Sequence, residues 1–278
     1  FLTPSSGWGT NFFAEHLDES VDSPLTERWF DDPSLGVKGK IDLVQGPTRL
    51  LDYKSGRKKR ASRVVAGAAV DPPADTPNFQ AALYLTHYRT LRPDEPLEFT
   101  FFHFLEPMGD VITGEADLDD ALATVTYHPV TFDEYVGSRD AYETLLDGYN
   151  DCRETFEDLG YGAYSEAVAG LSFPDTREKD ELRDSEFAAS FTAAVDAGTS
   201  GAVDAEKGAD QAIRALNGVR KRAFFRGDLD AFESFVDERL AELNARRAGA
   251  ERFPVAGRSD GPNYRRVDHR DLLLEGSR

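Results

Sequence analysis

The sequence predicts an α/β fold: a central mixed sheet flanked by helices, followed by a mostly helical C-terminal portion. Three observations carry that prediction. Strand-like runs are concentrated before about residue 105, a helical pattern over 79–91 separates the last two of them, and from about residue 115 apolar residues recur at helical spacing. In a chain of 278 residues this gives a core over 1–115, a helical region over 116–250 and a tail over 251–278 expected to clasp back onto the core.

The elements follow in order. Residues 8–20, WGTNFFAEHLDES, read as a helix with Phe12, Phe13 and Leu17 near one side and His16 beside them. A strand is expected over 27–31, with a turn at Asp32-Pro33-Ser34. Val37–Val44 and Arg49–Lys54 read as paired strands joined by the turn Gln45-Gly46-Pro47-Thr48. Pro72, Pro73 and Pro77 mark a loop, and Asn78 is placed to cap a helix over 79–91. A strand follows over 98–105. Helices are expected over 132–158, 186–196, 209–223 and 229–247, with a flexible surface loop over 197–208. The tail is irregular and Arg-rich.

Composition excludes several function classes. The chain carries 51 acids against 32 bases, a net charge of −19, and its bases are 8 Lys and 24 Arg. A dense carboxylate surface with scarce lysine is the signature of a protein hydrated in molar salt, a halophilic adaptation; the rival reading is a protein that repels nucleic acid. The single cysteine, Cys152, excludes an internal disulfide, a cysteine-based zinc site and a four-cysteine cluster, so no iron–sulfur cluster is expected. No apolar run approaches the roughly 20 residues that span a bilayer. No membrane partner is therefore expected, and the lack of a signal-peptide pattern leads to the expectation of a cytoplasmic protein.

The chemistry is concentrated in LLDYKSGRKKR, residues 50–60. Side chains alternate along a strand, so Asp52 and Lys54 share one face, and Asp42 sits on the preceding strand across a short turn. Two carboxylates from neighbouring strands with an ammonium beside them suit a hard divalent cation, magnesium or manganese, and the activation of water next to it. A D-x-K pair on a strand is most often only a surface ion pair. Ser55-Gly56 ending the strand, and Gln80 and Tyr84 four apart on a predicted helix, shift that balance. The helix pair taken alone would be an amide beside a core aromatic.

Together these residues resemble the PD-(D/E)XK nuclease superfamily, and its RecB/AddB-like exonuclease branch in particular. The branch's strand-strand-helix motifs appear here as Gly39-Lys40-Ile41-Asp42, Asp52-Tyr53-Lys54-Ser55-Gly56 and Gln80-Ala81-Ala82-Leu83-Tyr84, and the resemblance covers about residues 9–105. It implies a restriction-endonuclease-like core in which Asp42, Asp52 and the Tyr53 carbonyl hold Mg2+ or Mn2+. It also implies that Lys54 is the catalytic lysine and that Gln80 and Tyr84 position Lys54 and the DNA. His16 is the candidate for the branch's histidine ligand, off the common spacing and equally readable as structural; His87, His103 and His128 read as core or surface residues. Iron–sulfur members of the branch close with a cysteine clasp. Here Phe253-Pro254 and Tyr264 match its flanking pattern, while Ser259, Pro262 and Asp268 stand at the cysteine positions. An ordinary Arg-rich terminal segment explains the tail as well.

Between Lys54 and Arg63 there are six bases and no acid. Arg57, Lys58, Lys59, Arg60 and Arg63 are thus the expected phosphate contacts, since a basic island in an acidic chain focuses positive potential. The expected function is a metal-dependent DNA exonuclease acting on single-stranded or duplex ends in DNA repair or recombination, beside a helicase. The alternatives are a non-catalytic DNA-binding or scaffolding subunit of a helicase–nuclease complex, and a CRISPR-associated nuclease that trims spacers.

Overall fold

A computed structural model describes residues 25–249 apart from 106, 107, 149, 175 and 177. The expected first helix with His16, and the tail over 251–278, lie outside the described residues. The chain divides into two compact units, one reaching Phe235 and one starting at Val236.

The first unit is built on a six-stranded mixed sheet in sequential order. Strands β1 (Leu25–Asp32), β2 (Val37–Val44) and β3 (Arg49–Lys54) form an antiparallel meander. The chain then crosses through α1 (Ala61–Gly67) and α2 (Gln80–Leu91) to β4 (Leu97–His103), which runs parallel to β3. A crossover between parallel strands needs such an intervening helix, and the Pro-rich loop between α1 and α2 supplies the change of direction. Strand β5 (Leu122–His128) pairs antiparallel with β4, and β6 (Ala223–Phe225) pairs parallel with β5.

Strand alternation sorts the two faces. Leu43, Leu51 and Phe102 are buried beneath Met108 of α3 (Met108–Thr113) and Ala121 of a 3-10 turn (Leu118–Ala121). The opposite face carries Asp52 and Phe101, a register pair on β3 and β4, and receives α2, whose Tyr84 ring packs against Phe99. Ala81, Ala82 and Leu85 are fully buried in α2, and their small or compact side chains let the helix sit close to the sheet.

The helical portion forms α4 (Phe132–Val136), α5 (Arg139–Leu146), α6 (Asn150–Val168), α7 (Lys179–Arg183), α8 (Glu186–Gly198) and α9 (Ala205–Arg220). These pack around Phe156, Tyr164, Phe187, Phe191 and Leu216. The expected continuous helix over 132–158 is broken, because Ser138 caps α5 through the Ala141 N–H. Within α6, Gly160 adopts φ +73°, a left-handed conformation that glycine adopts without a side-chain penalty. Helix α10 (Arg226–Arg247) begins in the first unit, where Arg89 of α2 reaches both Asp230 and Glu233. In the second unit Glu242 is paired with Arg239 and Arg246 along the helix surface.

The portion after residue 115 is mostly helical as expected, and β5 and β6 extend the sheet there. One further expectation, the Asn78 cap, requires correction. Helix α2 is capped at Phe79 without any side-chain bond. The Asn78 backbone N–H instead donates to Gly67 O at 2.7 Å, which fastens the helix entry to the end of α1.

Candidate active site

The register of β2 and β3 pairs Leu43 with Leu51 and Val44 with Leu50. The next residues outward are Asp42 and Asp52, so the two acids fall opposite each other. Like charges in that relation repel. One interaction orients each of them. The Tyr53 backbone N–H donates to Asp42 Oδ2 at 2.9 Å, and the Gln80 amide donates to Asp52 Oδ1 at 2.6 Å.

Gln80 joins three groups, and their chemistry fixes its orientation. Lys54 Nζ has only donors and lies 2.7 Å from Gln80 Oε1, while the Asp52 carboxylate has only acceptors and takes the NH2 end. The same amide nitrogen is 3.5 Å from Tyr84 Oη, which donates to Lys40 O at 2.9 Å. One helical turn of α2 thus links β3 to β2. Lys54 Nζ also lies 5.2 Å from the centroid of the Phe101 ring, a favourable cation–π position.

Asp52 is 3% exposed. Its Oδ2 stands 2.5 Å from Lys54 Nζ yet is a buried oxygen without a hydrogen bond. The Lys54 ammonium nevertheless compensates this oxygen as an ion pair. Burial pushes the Asp52 carboxyl above the ordinary carboxylate value; Lys54 and Gln80 draw it back, and the Asp42 charge raises it again. Burial, joined by the charges of Asp52 and Asp42, likewise raises the Tyr84 phenol, with Gln80 opposing. Tyr84 therefore stays a donor.

The surroundings explain two further residues. A Cβ on Gly39 would lie 2.4 Å from Phe30 Cε1. The Phe30 ring cannot yield freely, because it stacks on His87 and meets Tyr84 edge-on. Glu27 would stand opposite Asp42, since Thr26 pairs with Leu43 and Arg28 with Ile41. Its φ of +53° breaks the ladder there, and its carboxylate goes to Lys40 Nζ at 2.8 Å. The charge of this third acid is thereby taken up by Lys40.

Asp42, Asp52, Lys54, Gln80 and Tyr84 are brought together, with the Tyr53 backbone between them; His16 lies outside the described residues. Arg57, Lys58, Lys59 and Arg60 are exposed on the segment leaving β3, and Arg63 is exposed in α1. Sequence reasoning missed what holds that segment. His103, buried at the end of β4, contacts Gly56 O through Nδ1 at 3.1 Å and receives the Lys59 N–H at Nε2 at 3.4 Å. A carbonyl can only accept and an N–H can only donate, so these two contacts select the neutral tautomer protonated at Nδ1. The signal was weak, because the pairing of Lys54 with His103 joins positions far apart in sequence.

Among the described residues no group of three or more His, Cys, Asp or Glu is arranged to hold a metal ion. The residues present still fit a cation with few protein ligands: two opposed carboxylates, one of them buried and sharing a single ammonium, are what Mg2+ or Mn2+ takes while keeping most of its water. No family model, curated protein or solved structure matches this chain.

Proposed function

We propose that this chain is a divalent-metal-dependent nuclease that hydrolyses phosphodiester bonds in DNA. The observation that carries the reading is the pair Asp42 and Asp52. Two acids set opposite each other, one of them buried, carry more negative charge than the single Lys54 ammonium beside Asp52 offsets, and a bound cation would supply the remainder. Groups perturbed in this way concentrate at functional sites. The finer assignment, to the PD-(D/E)XK superfamily and its RecB/AddB-like branch, is supported by element order: a meander, a helical crossover, then a parallel strand, with the D-x-K residues ending the third strand.

Asp42 and Asp52, with the Tyr53 carbonyl, would hold Mg2+ or Mn2+, which supplies charge neutralisation at phosphate and lowers the pKa of adjacent water. The residues of the chain do the rest. Lys54 donates toward the scissile phosphate, where negative charge grows as a water oxygen, giving up a proton to solvent, bonds to phosphorus and the ester P–O bond breaks, the leaving oxygen taking a proton from solvent. Gln80 holds the Lys54 ammonium at a fixed point, and Tyr84 fixes Gln80 against β2. The exposed bases from Arg57 to Arg63 attract the neighbouring phosphates. DNA-end processing beside a helicase is the setting this assignment favours.

Cleavage of end-labelled single- and double-stranded DNA in molar KCl, with Mg2+, Mn2+ or EDTA, tests the proposal. Wild type is expected to cut with either metal and not with EDTA. Asp52→Ala and Lys54→Ala are each expected to lose at least about 100-fold in rate while keeping the wild-type circular dichroism spectrum. A folded wild type that cuts with neither metal would refute the nuclease and leave the scaffolding reading.

A further inference from the structure

The last residue of β4, His103, is the register partner of Lys54. Alternation along β4 puts its ring on the same face as Phe101, whose ring lies 5.2 Å from Lys54 Nζ. The centroids of the Phe101 and His103 rings are 6.5 Å apart. His103 is 2% exposed, yet both of its nitrogens serve one segment, Gly56 O at Nδ1 and the Lys59 N–H at Nε2. Residues 56–59 therefore pass over the end of β4 at the face that carries Lys54. A second tie runs from Lys58 Nζ to Asp119 O at 3.4 Å, in the 3-10 turn before β5. Both histidine contacts are to backbone, so they fix the course of the segment without occupying a basic side chain. Arg57, Lys59 and Arg60 stay exposed.

We propose that His103 is a positioning residue for substrate binding, which presets the basic segment for the phosphates that flank the scissile one. The inference rests on the nuclease reading and adds how that site grips its strand. A segment that must be ordered as DNA arrives costs affinity for every residue fixed. One already fastened does not. The fastening needs one donor and one acceptor on a rigid frame, which a neutral imidazole supplies. It also adds no charge beside Lys54. The high net negative charge of the chain sharpens the need, because in molar salt long-range attraction is screened and only contacts already in place count. His103 touches no substrate atom in this role. Its effect reaches DNA through Arg57, Lys59 and Arg60, and so belongs to binding rather than to bond breaking.

The test is steady-state cleavage of end-labelled DNA by the full chain in molar KCl with Mn2+, read as KM and kcat. His103→Leu keeps apolar bulk and loses both bonds; it is expected to raise KM about tenfold and to leave kcat in place. His103→Gln, which again offers one donor and one acceptor, should recover most of that loss. The triple variant Arg57→Ala, Lys59→Ala, Arg60→Ala should raise KM by itself. Adding His103→Leu to it should then change little, because the histidine acts through those bases. Losses that multiply in full would make His103 an ordinary core residue and overturn the assignment. So would a fall in kcat at constant KM, or a KM that His103→Leu leaves unchanged; the nuclease reading survives each of these. Lys59→Pro removes the N–H donor from outside the core and should raise KM more than Lys59→Ala. Equal losses for that pair overturn the proposal even where His103→Leu fails to fold. A folded wild type that cuts DNA with neither Mn2+ nor Mg2+ removes both readings.

Discussion

Asp52 is an acid held where acids are least favoured, and its titration makes that measurable. Because its folded value lies above the ordinary 3.8, protonation favours the folded state. The stability tied to that proton is fully present below the ordinary value and is lost as pH rises through the raised one. In EDTA at neutral pH, Asp52→Asn should therefore melt no lower than wild type, and the advantage should shrink as pH falls toward 3.8. Added Mg2+ should raise the melting temperature of wild type and not of the variant, an effect fading as acid competes for the carboxylate. A large loss of stability in Asp52→Asn would instead make the acid an ordinary anchor for Lys54. At this scale the sequence was readable where a local period governs: alternation places Asp52 and Lys54 on one face, and the four-residue spacing aligns Gln80 with Tyr84. It was silent on His103, whose contacts depend on which strand lies beside β3.

The strands β2 and β3 were legible to the residue, because turn chemistry bounds both and apolar residues fill both. Strand β5 was missed although its pattern is present: in LATVTYH, Ala123, Val125 and Tyr127 are buried and their neighbours partly exposed. A short alternating run amid helical segments is outweighed by its surroundings. Strand β6 has three residues, all buried, too few to show a period. Helix packing carries its own test. A Cβ on Gly208 of α9 would meet Thr155 of α6 at 2.1 Å from Oγ1 and 2.6 Å from Cβ. Alanine is worth about 1 kcal/mol over glycine inside a helix, but overpacking costs about 1–3 kcal/mol. Gly208→Ala should therefore lower the stability measured by denaturant unfolding. Gly218→Ala in the same helix meets only an Arg222 side-chain nitrogen at 3.7 Å and should raise it.

Over the whole molecule, charge sets the working conditions. A chain of net charge −19 repels itself and any polyanion in dilute buffer. At 1 M salt the screening length is about 3 Å, so the global charge no longer reaches a ligand while direct contacts at the basic segment persist. Melting temperature should rise steadily from about 0.1 M to 2 M KCl, and cleavage should be faster in molar salt than in dilute buffer. A melting temperature independent of KCl would remove the salt-adaptation reading. The sheet has a further consequence, one of timing. Its last strand reaches β5 only after about a hundred intervening residues have been made, so β5 has no partner on one side until the helices have closed that long loop. During synthesis the strands that carry Asp42, Asp52 and Lys54 precede the edge that completes their sheet. Shortening the chain after β5 would then leave a sticky strand rather than a minimal nuclease.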